Sequence, residues 1–176
     1  MAAFLLIVAA VLSRVFPHPA WLNFTAVGGA LLYFGARRPL RQIWIPVAAL
    51  AATDFYLTAF FYSYPFHLSD YFLTWAWYAA VVALGYVLLS RKTTVSRVVA
   101  GVAVAPTSFF LITNFAAWAA QPQIYPRSIA GLTLSYAAGL PFYRNDVVST
   151  AIVAAMAFGL PAMAHQMAQR HQTASA

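Results

Sequence analysis

The chain has 176 residues, 63% of them hydrophobic and only 7% charged, with a mean hydropathy of +0.74. A soluble domain carries about 25% charged residues, so a fully water-facing surface is excluded and the long uncharged runs point to transmembrane helices. Ten Lys and Arg against three Asp give a net charge of +7, and the absence of Cys excludes disulfides, thiolate catalysis and Cys-ligated metals.

The apolar runs are continuous and not alternating, so the fold class is an all-α polytopic membrane protein and not a porin-type barrel. The first helix is expected over about residues 2–16, stopped by Pro17 and Pro19. It lacks a basic n-region and a small-x-small cleavage site, and reads as a retained helix, not a signal peptide. Being short of the roughly 20 residues a span requires, it places Arg14 in the outer part of the membrane. The long Arg14 stem can carry its guanidinium toward headgroups or toward a polar cavity. Trp21 fits an interfacial anchor. The second helix, about 22–36, begins near Asn23 and Thr25, and its Gly28 and Gly29 permit close packing.

Arg37, Arg38 and Arg41 then make a basic turn with Pro39. A third helix, about 43–62, carries Asp54 near its middle, and a fourth covers about 71–90. Arg91, Lys92 and Arg97 form a second basic loop before a fifth helix, about 98–120, in which Pro106 predicts a kink. Residues 121–146 read as one long connection. Within it, 129–140 is too short to span and reads as a re-entrant or interfacial segment before the last helix, about 147–165. The expectation is thus about six transmembrane helices in one domain over 1–165, with a frayed polar tail over 166–176.

Six spans put both termini on one side. Arg37, Arg38, Arg41, Arg91, Lys92, Arg97 and Arg170 fall there, whereas Arg14, Arg127 and Arg144 fall opposite. The positive-inside rule then makes the termini cytoplasmic and turns the connection after the fifth helix outward. Anionic lipid headgroups account for the basic excess better than nucleic acid does, since the basic loops lack the form of a nucleic-acid module.

Asp54 is the strongest single signal for chemistry. An acid in mid-span costs roughly 2.5–3.5 kcal/mol on insertion scales. It is either a ligand-contacting or proton-carrying carboxylate, or half of a structural pair with Arg14. Asn114 and Trp118 share a helix face at i and i+4, an amide beside an aromatic wall that suits a flat organic ligand; the alternative is interhelical bonding by Asn114. Tyr125, Arg127, Tyr143 and Arg144 are candidates to close over a ligand or hold its anionic group, against ordinary interfacial anchoring. Arg14 and Asn23 complete the candidate substrate-binding set. No metal site is expected, because the four His are scattered and no H-E-x-x-H occurs. A phosphate loop and G-x-S-x-G are absent as well, so neither an enzyme nor a cofactor is expected.

Several blocks resemble a known family. Arg14-Val15-Phe16-Pro17-His18-Pro19, Asn23-Phe24-Thr25-Ala26-Val27 and Gly28 to Gly35 open the likeness, and Pro46 and Thr53-Asp54 extend it. The most specific blocks are Ser108-Phe109-Phe110-Leu111-Ile112-Thr113-Asn114-Phe115 with Trp118, and Pro141-Phe142-Tyr143-Arg144-Asn145; Tyr125-Pro126 and Gly131-Leu132 also match. They resemble an uncharacterised bacterial membrane family described as transport proteins with a domain of unknown function. That family is similar in size and layout to the substrate-binding S components of energy-coupling-factor (ECF) vitamin transporters.

The resemblance implies a bacterial inner-membrane protein that binds a vitamin-like solute in an outward-facing pocket. It also implies a transmembrane coupling protein with ATPases as partner. Ala3, Ala9 and Ala10 do not form the A-x-x-x-A through which such first helices dock. The expected function is therefore binding or transport of a small organic solute, the alternative an accessory or assembly subunit of a membrane complex.

Overall fold

The computed structural model describes residues 1–16 and 23–174, with the side chains of 165, 168 and 171–174 left aside. Pro17, His18, Pro19 and Trp21 therefore lie outside the described residues, as do the side chains of His165 and His171. The described chain is all helical: α1 (Ala2–Val15), α2 (Val27–Arg37), α3 (Trp44–Tyr56), α4 (Leu68–Leu89), α5 (Val95–Ala120), α6 (Ile129–Ala154) and α7 (Leu160–Ala174). A π turn, Leu57–Phe61, extends α3, and another, Ala155–Gly159, joins α6 to α7 in one continuous rod, so six helical rods result. Four of them are long and apolar enough to cross a membrane: 40–61, 68–89, 95–120 and 129–164.

Local chemistry explains the boundaries. Thr94 and Ser128 accept hydrogen bonds from the backbone N–H groups of Arg97 and Gly131, capping α5 and α6. Pro46 lies in the first turn of α3, where the missing N–H would have no helical partner anyway.

The short helix α2 is the axis of the bundle. Every residue from Val27 to Ala36 is buried, and α1, α4, α5 and the 129–174 rod all touch it. Glycine makes this crowding possible. Gly28 lies against Thr150 and Gly29 against Val153, while Gly35 and Gly85 bring the backbones of α2 and α4 together. Phe34 fills the centre and meets Phe4 edge-on at 5.6 Å between ring centroids.

The basic connections collect at one end. Arg37 lies over the rings of Tyr33 and Phe158, Arg38 over Phe4, and Arg97 donates to the Leu88 carbonyl. Phe4 begins the first rod and Phe158 lies in the last, so both rods come to the end of the bundle that holds the basic turns.

One segment differs from the sequence expectation. Residues 129–140 are not a separate re-entrant piece but the first half of α6, which runs through Pro141 without interruption. A proline removes one backbone donor and can be carried where neighbouring helices hold the segment; Ser135 donating to the Asn114 carbonyl and Tyr136 to that of Leu111 fasten this half to α5. Over its described part the tail is helical, α7 continuing to Ala174.

A two-chambered polar cavity as candidate site

Two adjoining cavities, of about 230 and 240 Å³, open among α1, α3, α4, α5 and α6. Asn23, Phe109 and Asp146 line both. One chamber adds Asn114, Tyr125 and Tyr143 between α5 and α6. The other adds Arg14, Asp54 and Tyr78 on the side of α1, α3 and α4.

The Asp54 chamber is organised by an ion pair. Arg14 Nη2 donates to Asp54 Oδ1 at 2.5 Å, while Trp75 Nε1 (2.9 Å) and the Tyr78 hydroxyl (3.4 Å) donate to Oδ2. The second Arg14 nitrogen, Nη1, donates to the Tyr78 oxygen at 3.1 Å, which closes a ring of three side chains, Arg14, Asp54 and Tyr78, from three helices, with Trp75 joined to it through Asp54. The Asp54 side chain is 3% exposed and that of Arg14 19%, so the pair is screened from water and its geometry supplies the partners a buried charge needs. Of the two readings open for Asp54, the structure shows the pairing with Arg14. Both residues still line the chamber.

The other chamber is walled by aromatic rings. Phe110 stacks on Tyr143 at 4.7 Å, and the Tyr143 hydroxyl shares a 2.9 Å hydrogen bond with Thr107 Oγ1. Asn114 Nδ2 donates back to the Phe110 carbonyl at 2.8 Å. Its amide lies directly over Gly139, where a Cβ would come within 2.5 Å of Oδ1. The amide therefore sits on a helix crossing and also faces open space.

Of the nine candidate residues, Arg14, Asn23, Asp54, Asn114, Tyr125 and Tyr143 come together around the two chambers. Trp118, Arg127 and Arg144 do not line either one. Trp118 Nε1 donates to the Pro126 carbonyl at 3.0 Å and packs on Phe115. Arg127 Nη2 donates to the Ala119 carbonyl at 3.1 Å, satisfying an acceptor in the last turn of α5. Arg144 is exposed on α6. Trp118 and Arg127 hold the ends of the 121–128 connection instead of facing the space inside.

Asp146 is the residue sequence reasoning passed over. It is 8% exposed, borders both chambers, and accepts a hydrogen bond from Thr150 Oγ1 at 3.3 Å. Its signal was present as one of only three acids in the chain. Among the described residues no group of three His, Asp or Glu is arranged to hold a metal ion.

The fold and the site together define a class: an all-helical, membrane-type bundle with a two-chambered cavity lined by aromatic and polar side chains. The chain belongs to DUF6580, a family of unknown function, whose sequence profile matches residues 1–173. No curated protein and no solved structure matches it.

Proposed function

We propose that the protein is a membrane-embedded binding or transport protein for a small organic solute and not an enzyme. The observation that carries this reading is the pair of adjoining cavities, into which two carboxylates, two amides and several aromatic rings converge. A mostly apolar concavity with a few placed polar groups is the usual form of a small-molecule site. Polar side chains are costly inside a membrane bundle unless they pair or serve a ligand. Asn23, Asn114, Tyr125 and Tyr143 are assigned to contact the solute, with Asp54 and Arg14 shaping the adjoining chamber.

We extend this reading, on the sequence resemblance in size and six-helix layout, to an ECF S-component-like role for a vitamin-like solute in a bacterial inner membrane. With the basic connections cytoplasmic, both termini lie in the cytoplasm and the 121–128 connection faces outward. A coupling protein with ATPases would supply energy that this chain has no phosphate loop to provide. The competing reading, an accessory subunit of a larger complex, draws on the exposed apolar face of α1, where Leu5, Val8 and Leu12 are 60%, 53% and 47% exposed. Lipid alone accounts for that face.

Mild solubilisation of the full chain followed by native mass spectrometry tests the proposal. A reproducible bound small molecule, lost from Asn114→Ala with folding intact, is the expected result. A stoichiometric protein partner with no bound solute would sink it.

A further inference from the structure

We propose that the wall shared by the two chambers recognises an organic cation, a protonated amine or amidinium group, with Asp146 as its counter-charge. The inference rests on the solute-binding reading and narrows it to a substrate class. It starts from an imbalance among the acids. Asp70 lies exposed at the start of α4, and Asp54 has the Arg14 guanidinium against it. Asp146 is 92% buried by its 8% exposure, and among the described residues it forms no ion pair; its bond comes from the neutral Thr150 hydroxyl.

A carboxylate withdrawn from water without a cation carries a large desolvation cost. A ligand that brings the missing positive charge removes that cost, and a neutral or anionic one of the same shape does not. The position suits this role, because Asp146 borders both chambers and a ligand in either one meets it. The surrounding walls suit it as well. Phe109, Phe110 and Tyr143 line the chamber, and aromatic rings attract ammonium and amidinium groups through their quadrupole. Among the described residues Arg14 is the one Lys or Arg lining either chamber, and Asp54 already neutralises it. Among the described residues no free Lys or Arg is left there to draw in an anion.

The test uses the full chain in lipid nanodiscs with three probes of one shape: phenethylamine, 2-phenylethanol and 3-phenylpropionate. Thermal shift and calorimetry should show saturable binding of the amine in preference to the alcohol and the acid. Asp146→Asn should weaken amine binding about tenfold or more, the worth of one charge-assisted hydrogen bond, and Asp146→Glu should retain most of it. Asparagine can still accept from Thr150, so folding should survive; if it does not, the rank order of the three probes on the unaltered protein decides. Alcohol or acid binding as well as the amine overturns the inference, as does an amine affinity unchanged in Asp146→Asn. The molecule that co-purifies separates this failure from that of the broader reading. A neutral or anionic solute that is lost from Asn114→Ala but kept by Asp146→Asn overturns the cation and leaves solute binding standing. No bound mass and no response to any probe overturns both.

Discussion

Gly35 of α2 and Gly85 of α4 each lie against the other helix's backbone. A methyl group at 85 would press on the Leu32 carbonyl, and one at 35 would come within 2.8 Å of the Tyr86 nitrogen. Backbone cannot swing aside as a flexible side chain can, so the two helices would have to separate. Gly85→Ala is expected to cost about 1–3 kcal/mol, the range for overpacking a filled core. Gly159→Ala is the control, because nothing lies within 4 Å of its new methyl. Melting temperatures in detergent should fall for the first and hold for the second.

Arg14 and Asp54 should behave as a unit. Asp54→Leu alone strands the guanidinium in a poorly hydrated site and should lower stability by about 3 kcal/mol, as for other broken buried pairs. Arg14→Met with Asp54→Leu removes both charges and should regain much of that loss. A double-mutant cycle on chemical denaturation midpoints measures the coupling. Additive losses would show that the pair contributes nothing as a pair.

At the crossing of α5 and α6, Gly139→Ala should act on the site through Asn114. The new methyl would fall 2.5–2.8 Å from the amide atoms and force the side chain out of its bond to Phe110. Solute retention measured by native mass spectrometry should drop as it does for Asn114→Ala. Retention equal to the unaltered protein would place the amide outside the binding surface.

The 121–128 connection should loosen when its fasteners are removed. Trp118→Phe deletes the donor to Pro126, and Arg127→Ala uncovers the Ala119 carbonyl. Each bond is worth about 1 kcal/mol. Hydrogen exchange over residues 121–128 should speed up several-fold in both variants. Solute affinity should change less than for Asn114→Ala, because neither side chain lines a chamber.

Much of this bundle is legible in the residues. Apolar runs separated by Pro39, by Tyr64-Pro65 and by Arg91-Lys92 place α3, α4 and α5 to within a few residues, because helix breakers and charges are local signals. The Arg14–Asp54 pair is legible as an alternative, since each charge lies where a membrane protein must compensate it. What failed is the separation of 129–140 from the last helix, at a boundary that falls beside Gly139 and Pro141. In water such residues end helices; packed on α5 they do not, and the rod runs on. That one error also hid Asp146. Placed in a connection it looks like an ordinary solvated acid, and only the continuous helix carries it into the interior. The roles of Trp118 and Arg127 were missed for a different reason, because their partners are backbone carbonyls that residue type does not predict.

The enclosure of α2 bears on how the protein is made. An 11-residue helix is about 16 Å long, well short of the hydrocarbon core. With Val27 to Ala36 buried by neighbouring rods, it shows almost no side to lipid. Partitioning from the translocon into the bilayer rewards contact with lipid, so α2 has little of its own to gain by entering. It must be admitted by its neighbours, and α4 and the last rod, which clasp it most closely, are synthesised after it. The centre of the molecule is therefore the part whose final placement waits for the rest of the chain.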